Sequence, residues 1–248
     1  GISAISASIE DIGVCDVLSD LDLRSKQQGS DENIKTEVKI LPEGAHGPLI
    51  PFREIKAMSR GWNDSIMREL GWTRACVSDF FVGGSKVTPG FQTKDYKDFH
   101  RGLNLIVIHP KTLNVIVVAR IDTCGDSQSR DILLRLLFKI PEGYYLAGAV
   151  RDEGSSRLRN EHFNAFQRFG LQAQHIGWRH SFAFIGKAGH RNTSDKGVEE
   201  VSETPELVTV KMMAVNEQAF DNLLNRDLRI VSMLHSSIKE AVVGRNGE

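Results

Sequence analysis

The chain has 248 residues, with 31 Lys and Arg against 32 Asp and Glu, a net charge of −1 and 40% hydrophobic residues. A chain of this size and balance can bury its own core, lacks the positive excess of a broad nucleic-acid or acidic-membrane footprint, and has no run near the ~18 apolar residues of a membrane span. The three cysteines, Cys15, Cys76 and Cys124, are odd in number and lack Cys-x-x-Cys spacing, which favours free thiols over a disulfide framework or a zinc site.

Residues 1–34 hold no stable hydrophobic period, apart from a short helical pattern at Val17, Leu18, Leu21 and Leu23, and are read as a flexible arm. Gly1–Glu10 lacks the basic start and long apolar run of a signal peptide. From Lys35 the texture changes. Thr36–Leu41 alternates as a strand does, and Phe52–Ser59 is a second strand, closed by Arg60-Gly61-Trp62-Asn63-Asp64. Ser65–Leu70 makes a turn or two of helix. Ala75–Val82 is a strand, and Gly83-Gly84-Ser85 a hairpin turn into Lys86-Val87. Lys94–Arg101 is polar loop.

Leu103–Ile108 and Val115–Ile121 read as a buried hairpin around His109–Asn114. Ile132, Leu133, Leu136, Leu137 and Ile140 carry helical spacing behind Ser127 and Ser129, and Pro141-Glu142-Gly143 stops that helix. Tyr144–Val150 is a strand. Asp152-Glu153-Gly154 is a turn in which Gly154 is expected at positive φ, and Ser155 or Ser156 is expected to cap a helix reaching Phe169. Ser181–Ile185 and Glu206–Met212 are strands, and Ala219–Val243 is helical. Strand pairs joined this closely exclude βαβ crossovers, so the class is α+β with antiparallel hairpins.

No phosphate loop, dinucleotide fingerprint, nucleophile elbow or HExxH occurs, and no two histidines stand four apart. The chain is therefore expected to be no enzyme, with no catalytic residues, metal or cofactor. Asp122, Asp126, Asp152 and Glu153 are the candidate acid/base carboxylates. Asp152 is either a turn residue or an acceptor for a ligand's hydroxyls. Trp178 beside Arg179 is either cation–π packing or one wall of a sugar site: an aromatic face covers a pyranose, while a guanidinium and a carboxylate bind its hydroxyls. Arg120 ends a neighbouring strand and is the third candidate for such a set.

Three stretches, Arg101–Ile116, Ala147–Leu158 and Gly177–Gly189, resemble in order and spacing the GG domain of the interleukin-like EMT inducer family. Gly61-Trp62-Asn63-Asp64 looks like a turn near the start of such domains, which extends the resemblance over residues 35–212. The same stretches are similar to the noncatalytic, sugar-binding stem domain of the enzyme that adds N-acetylglucosamine to protein O-mannose. The resemblance implies a two-sheet antiparallel β-sandwich with flanking helices and a glycan ligand. Its sugar-contacting residues fall on Asp152, Arg179 and, by a looser alignment, Arg120, with Trp178 beside them. The resemblance divides the chain into an arm (1–34), the domain (35–212) and a C-terminal helical extension (213–248).

The cysteine framework of secreted animal members is missing: Phe184-Ile185-Gly186 stands where a cysteine often follows the phenylalanine. That disfavours a secreted cytokine-like ligand, which remains the third reading, and suits assembly in a reducing cytosol. Family domains also occur in tailed-phage structural proteins. The leading expectation is a glycan-binding attachment module on a virion, tail fibre or cell exterior, with neither nucleic acid nor membrane insertion. The alternative is a structural subunit that oligomerises with other protein subunits through its two extensions.

Overall fold

A computed structural model describes residues 36–41, 50–70, 76–91, 99–173, 176–189, 196–216, 218–226, 228–229 and 232. The expected arm, Cys15 and most of the C-terminal extension lie outside the described residues. The strands are β1 (Glu37–Ile40), β2 (Phe52–Gly61), β3 (Val77–Val82), β4 (Ser85–Lys86), β5 (Gly102–Ile108), β6 (Val115–Ile121), β7 (Tyr145–Asp152), β8 (Ser181–Lys187), β9 (Val198–Ser202) and β10 (Val208–Val215). The helices are α1 (Asp64–Leu70), α2 (Ser129–Lys139) and α3 (Asn160–Gln167), and residues 218–226 are helical as well.

The α+β sandwich with flanking helices is what the chain forms. Six strands run antiparallel in the order β1-β6-β5-β7-β8-β9, and four in the order β10-β2-β3-β4. A short parallel contact joins the two sets, Arg60 with Arg151 and Gly61 with Asp152, so the sheet is continuous and curls back over itself. One apolar core fills the curl: Ile55, Ala57, Phe80 and Val82 of the smaller set face Ile106, Ile108, Val118, Ala147 and Ile185 of the larger. The second lies on the other face, where Ile132, Leu133, Leu136 and Leu137 of α2 and Phe166 of α3 cover Leu105, Val117, Leu146 and Phe184. Covered on both sides, β5, β6 and β7 read as unbroken apolar runs, whereas β2 alternates because one of its faces meets water.

Local chemistry sets the joints. Gly83 (φ 59°) and Gly84 (φ 82°) supply the two left-handed residues of a tight hairpin between β3 and β4. Asn63 Oδ1 caps α1 by accepting the Ser65 and Ile66 amides at 3.0 Å. His162 packs α3 on α2: its Nδ1 accepts the Arg159 amide at 3.1 Å and its Nε2 meets Arg130 O at 3.1 Å.

Two expectations are corrected. The helix after the acidic turn starts at Asn160, because Ser155 and Ser156 are drawn to Glu153 and do not cap it. The left-handed residue of that turn is Asp152 (φ 65°), not Gly154; Gly154 is required because a Cβ there would stand 2.5 Å from Val150 Cγ2. Strand β9 escaped the sequence reading, since Val198–Ser202 has no fully buried face.

Candidate functional site

Strands β7 and β8 pair from Tyr145–Lys187 to Ala149–Ala183 and then separate. The end of β2 enters the gap. Ser59 Oγ donates to Val150 O at 2.6 Å and accepts the Phe182 amide at 3.0 Å, while the Gly61 amide donates to Ser181 Oγ at 2.9 Å. One hydroxyl thereby replaces the ladder bonds that the parting strands lose. Beyond this point three segments meet: Gly61–Asp64, Asp152–Gly154 and the turn Gly177–His180.

The approach is close enough to dictate residue type. A Cβ on Gly61 would lie 2.1 Å from Arg179 O. The Trp62 amide donates to Asp152 O at 3.1 Å, and the Trp62 indole donates to Asp64 Oδ1. Opposite, the Gly177 amide donates to His180 Nδ1 at 2.9 Å, closing the turn that carries Trp178 and Arg179. His180 is thus a turn closer; His175 lies outside the described residues.

Glu153 ties the pieces together. It is buried, and its Oε1 accepts the amides of Ser155 (2.6 Å) and Ser156 (2.9 Å) and both hydroxyls (2.8 and 3.0 Å). Its Oε2 accepts the Arg179 amide at 2.5 Å. Arg179 has φ 60°, so two non-glycine residues, Asp152 and Arg179, sit left-handed within one joint. Such strain persists only where surroundings over-determine it, and it gathers at binding sites.

The Arg179 guanidinium lies over Trp62 (5.2 Å to the ring centroid) and Trp178 (5.7 Å), with Asp64 Oδ2 at 3.8 Å. Trp178 is 60% exposed and presents an open indole face. Asp152 is 8% exposed as a residue; among the described residues no hydrogen bond or ion pair engages its carboxylate, whose oxygens reach solvent. Burial pushes its pKa up to about 6; Arg101 and Arg179 pull it down, while Glu153 and Asp122 push it up. Cys76, buried nearby, is pushed up to about 11 by burial and by Asp152 and stays a neutral thiol. The arrangement offers an open carboxylate acceptor, a cation held in place and a flat aromatic wall.

Asp152, Arg179 and Trp178 are thus brought together, whereas Arg120 is placed elsewhere. It is 2% exposed on β6, donates to Glu37 Oε2 of β1 at 2.9 Å and stacks over Phe91 at 4.6 Å. Alternation along β6 points it into the core between the strand sets, alongside Val118. A different arginine, Arg101, reaches Asp152 with its charge, alongside Arg179. Asp122 is consumed by Arg101, which it accepts at 3.2 Å (Nε) and 2.8 Å (Nη2), and Asp126 Oδ1 accepts the Gln128 amide at 2.9 Å.

Trp62 and Asp64 had no recognised role in the sequence, and Glu153 was read there as a candidate acid/base carboxylate, not as the tie between segments. Trp62 and Asp64 sat in a recognised turn, but nothing local tied that turn to a residue more than a hundred positions away. Among the described residues, Cys76 and Cys124 are free thiols, and no three His, Cys, Asp or Glu side chains cluster as a metal site would.

Residues 101–190 match the family model of the interleukin-like EMT inducer. The cell migration-inducing and hyaluronan-binding protein of Homo sapiens is 34% identical over 96 residues, covering 38% of this chain and 7% of the relative. Its Mus musculus counterpart is 33% identical over 96 residues, with the same coverage. The chain therefore spans only a small part of the length of these curated relatives.

Proposed function

We propose that the chain is a noncatalytic glycan-binding module that attaches a larger assembly, such as a virion tail fibre or an adhesin on a cell exterior, to a saccharide surface. The observation that carries this reading is the Asp152 carboxylate without a hydrogen-bond partner among the described residues, set beside Arg179 and the open face of Trp178. Carboxylate, guanidinium and indole are the groups that bind a pyranose's hydroxyls and its apolar face. One further observation supports it: the relatives that match over 96 residues are named for hyaluronan, a saccharide.

A glycan array followed by titration of the hits against the chain and its Arg179→Ala variant tests the reading. Saccharide hits lost in the variant, with unchanged melting, support it. An array without hits overturns it.

One observation favours a second reading, that of an assembly subunit. Phe220, Leu224 and Leu228 are 40%, 45% and 64% exposed and four residues apart, an apolar stripe on one helical face that suits packing against a second copy. Sedimentation of the chain beside Leu224→Asp/Leu228→Asp decides this: a multimer reduced to monomer supports it, and a monomeric parent chain overturns it.

A further inference from the structure

Among the described residues β1, β4, β9 and β10 have a neighbouring strand on one side only. The first three are short, with 4, 2 and 5 residues, whereas β10 runs for 8. A long open edge invites another strand, and folded chains shorten or block such edges. β10 is blocked toward its two ends. The Thr209 amide donates to Glu200 Oε2 at 3.2 Å, and the Tyr145 hydroxyl accepts the Val215 amide at 2.9 Å and donates to Val215 O at 3.2 Å. Those contacts also fix the pleat. Thr209, Lys211, Met213 and Val215 aim their N–H and C=O groups away from β2, since backbone direction alternates along a strand. Between the blocked ends, no hydrogen-bond partner among the described residues meets the outward groups of Lys211 or Met213. Lys211 is the residue type that usually guards an edge, but Glu54 Oε2 lies 3.5 Å from its ammonium and offsets its charge. Met213 and Phe52 beside it are 53% and 51% exposed.

We infer that β10 pairs antiparallel with β10 of a second copy of this chain, about a two-fold axis through Met212, and so joins the β10-β2-β3-β4 sets of both copies into one continuous sheet. The axis sets Lys211 opposite Met213 of the second copy, and Met213 opposite its Lys211. Each opposed pair exchanges two N–H···O bonds, so every open backbone group in the window is met. The neighbouring registers fail. An axis through Lys211 sets two lysines face to face and turns Met213 toward Thr209, whose amide is taken. An axis through Met213 turns Lys211 toward Val215, whose N–H and C=O are both held by Tyr145. Charge favours the same register, because Lys211 then lies beside Met213 of the second copy, the cross-strand neighbour of that copy's Glu54. The pairing needs neither a glycan nor the stripe of Phe220, Leu224 and Leu228, so it goes beyond both readings above. Ser59 stands beside Val208, so the two Gly61–Arg179 joints lie toward opposite ends of the paired strands.

Sedimentation velocity of the full chain over a wide concentration range, with amide hydrogen exchange at each concentration, tests the pairing. The expected result is a monomer–dimer equilibrium in which the Lys211 and Met213 amides exchange more slowly as the dimer forms, while the Thr209 and Val215 amides do not change. Met213→Lys sets lysine against lysine twice across the axis and is expected to weaken dimerisation about a hundredfold. Adding Lys211→Glu turns both contacts into opposite-charge pairs and is expected to restore the dimer. Both positions are exposed, so neither substitution disturbs the core. A chain that stays monomeric at every concentration overturns the inference. A dimer that survives Met213→Lys, or that leaves exchange at the Lys211 and Met213 amides unchanged, overturns it as well. If such a dimer dissociates in Leu224→Asp/Leu228→Asp, the helical stripe is the interface instead. None of these outcomes bears on the glycan array, so the two readings stand or fall separately.

Discussion

Two aspartates stand at the ends of β6 and β7, the strands on either side of β5, and meet opposite fates. Asp122 closes β6 and is 1% exposed; its carboxylate accepts Arg101 twice, the Cys124 amide at 3.2 Å and the Gly125 amide at 2.8 Å. Asp152 closes β7 and is 8% exposed, with no such partner among the described residues. Burial is nearly equal, so burial does not separate a structural carboxylate from a binding one. Satisfaction of the oxygens does. Asp122 builds the loop that enters α2, and Asp152 sits in a joint that Glu153 ties together.

The hardest way to break this contrast is to displace the joint. Gly61→Ala drives a methyl group into the Arg179 carbonyl, and we expect a loss of about 3 kcal/mol in denaturant unfolding, together with loss of any ligand bound through Arg179. Asp122→Asn should cost about 2–3 kcal/mol, because it leaves Arg101 without its ion pair and turns an NH2 toward the guanidinium where Oδ2 accepted. Were Asp122→Asn neutral, the structural role assigned to it would be wrong.

Asp152→Asn should act in the opposite direction. The folded-state pKa of Asp152 is raised, so the native chain holds the proton more tightly than the unfolded chain. Its ionisation penalty grows as pH rises from about 3.8 to about 6 and is complete above that. The variant should therefore gain at most about 3 kcal/mol at pH 7.5 and nothing at pH 3.5, compared by urea unfolding at both. A variant destabilised at pH 7.5 would make Asp152 a structural residue like Asp122.

Glu153→Gln sharpens the comparison from the neighbouring position. An amide can accept from the two serines or from Arg179, and its NH2 must then face a donor. A loss of about 1–2 kcal/mol is expected, with faster hydrogen exchange at the Arg179 amide and weaker ligand binding. Unchanged exchange at that amide would remove Glu153 from its positioning role. The smallest effect belongs to Arg179→Ala, within about 1 kcal/mol, since the guanidinium is half-exposed and holds only ring contacts and a distant carboxylate. Collapse of stability there would mean that Arg179 is part of the scaffold.

Much of the fold could be read from the chain because its periods are strong. The hairpin of β5 and β6, the α2 stripe from Ile132 to Leu137 and the Gly83-Gly84 turn each carry their cause within a few residues. The candidate site was legible in part. Asp152, Trp178 and Arg179 carried a signal, whereas Arg120 had the right residue type at a strand end and turned toward the core, because side-chain direction along a strand alternates and a one-residue difference selects the face. Trp62, Asp64 and Glu153 were hidden for another reason: their partners lie across the joint between β2, β7 and the turn before β8.

The sequence by itself determined the class, the antiparallel hairpins, the two helices over the sheet and an acidic turn next to a tryptophan-arginine pair, since each follows from hydrophobic period and turn chemistry over short spans. Only the tertiary structure decided that β2 would wedge between β7 and β8, that Glu153 would hold Arg179 left-handed, and that Asp152 would be left without donors among the described residues. Those outcomes depend on which distant backbone and side-chain groups satisfy one another's hydrogen bonds, and that pairing is settled only when the sheet curls closed.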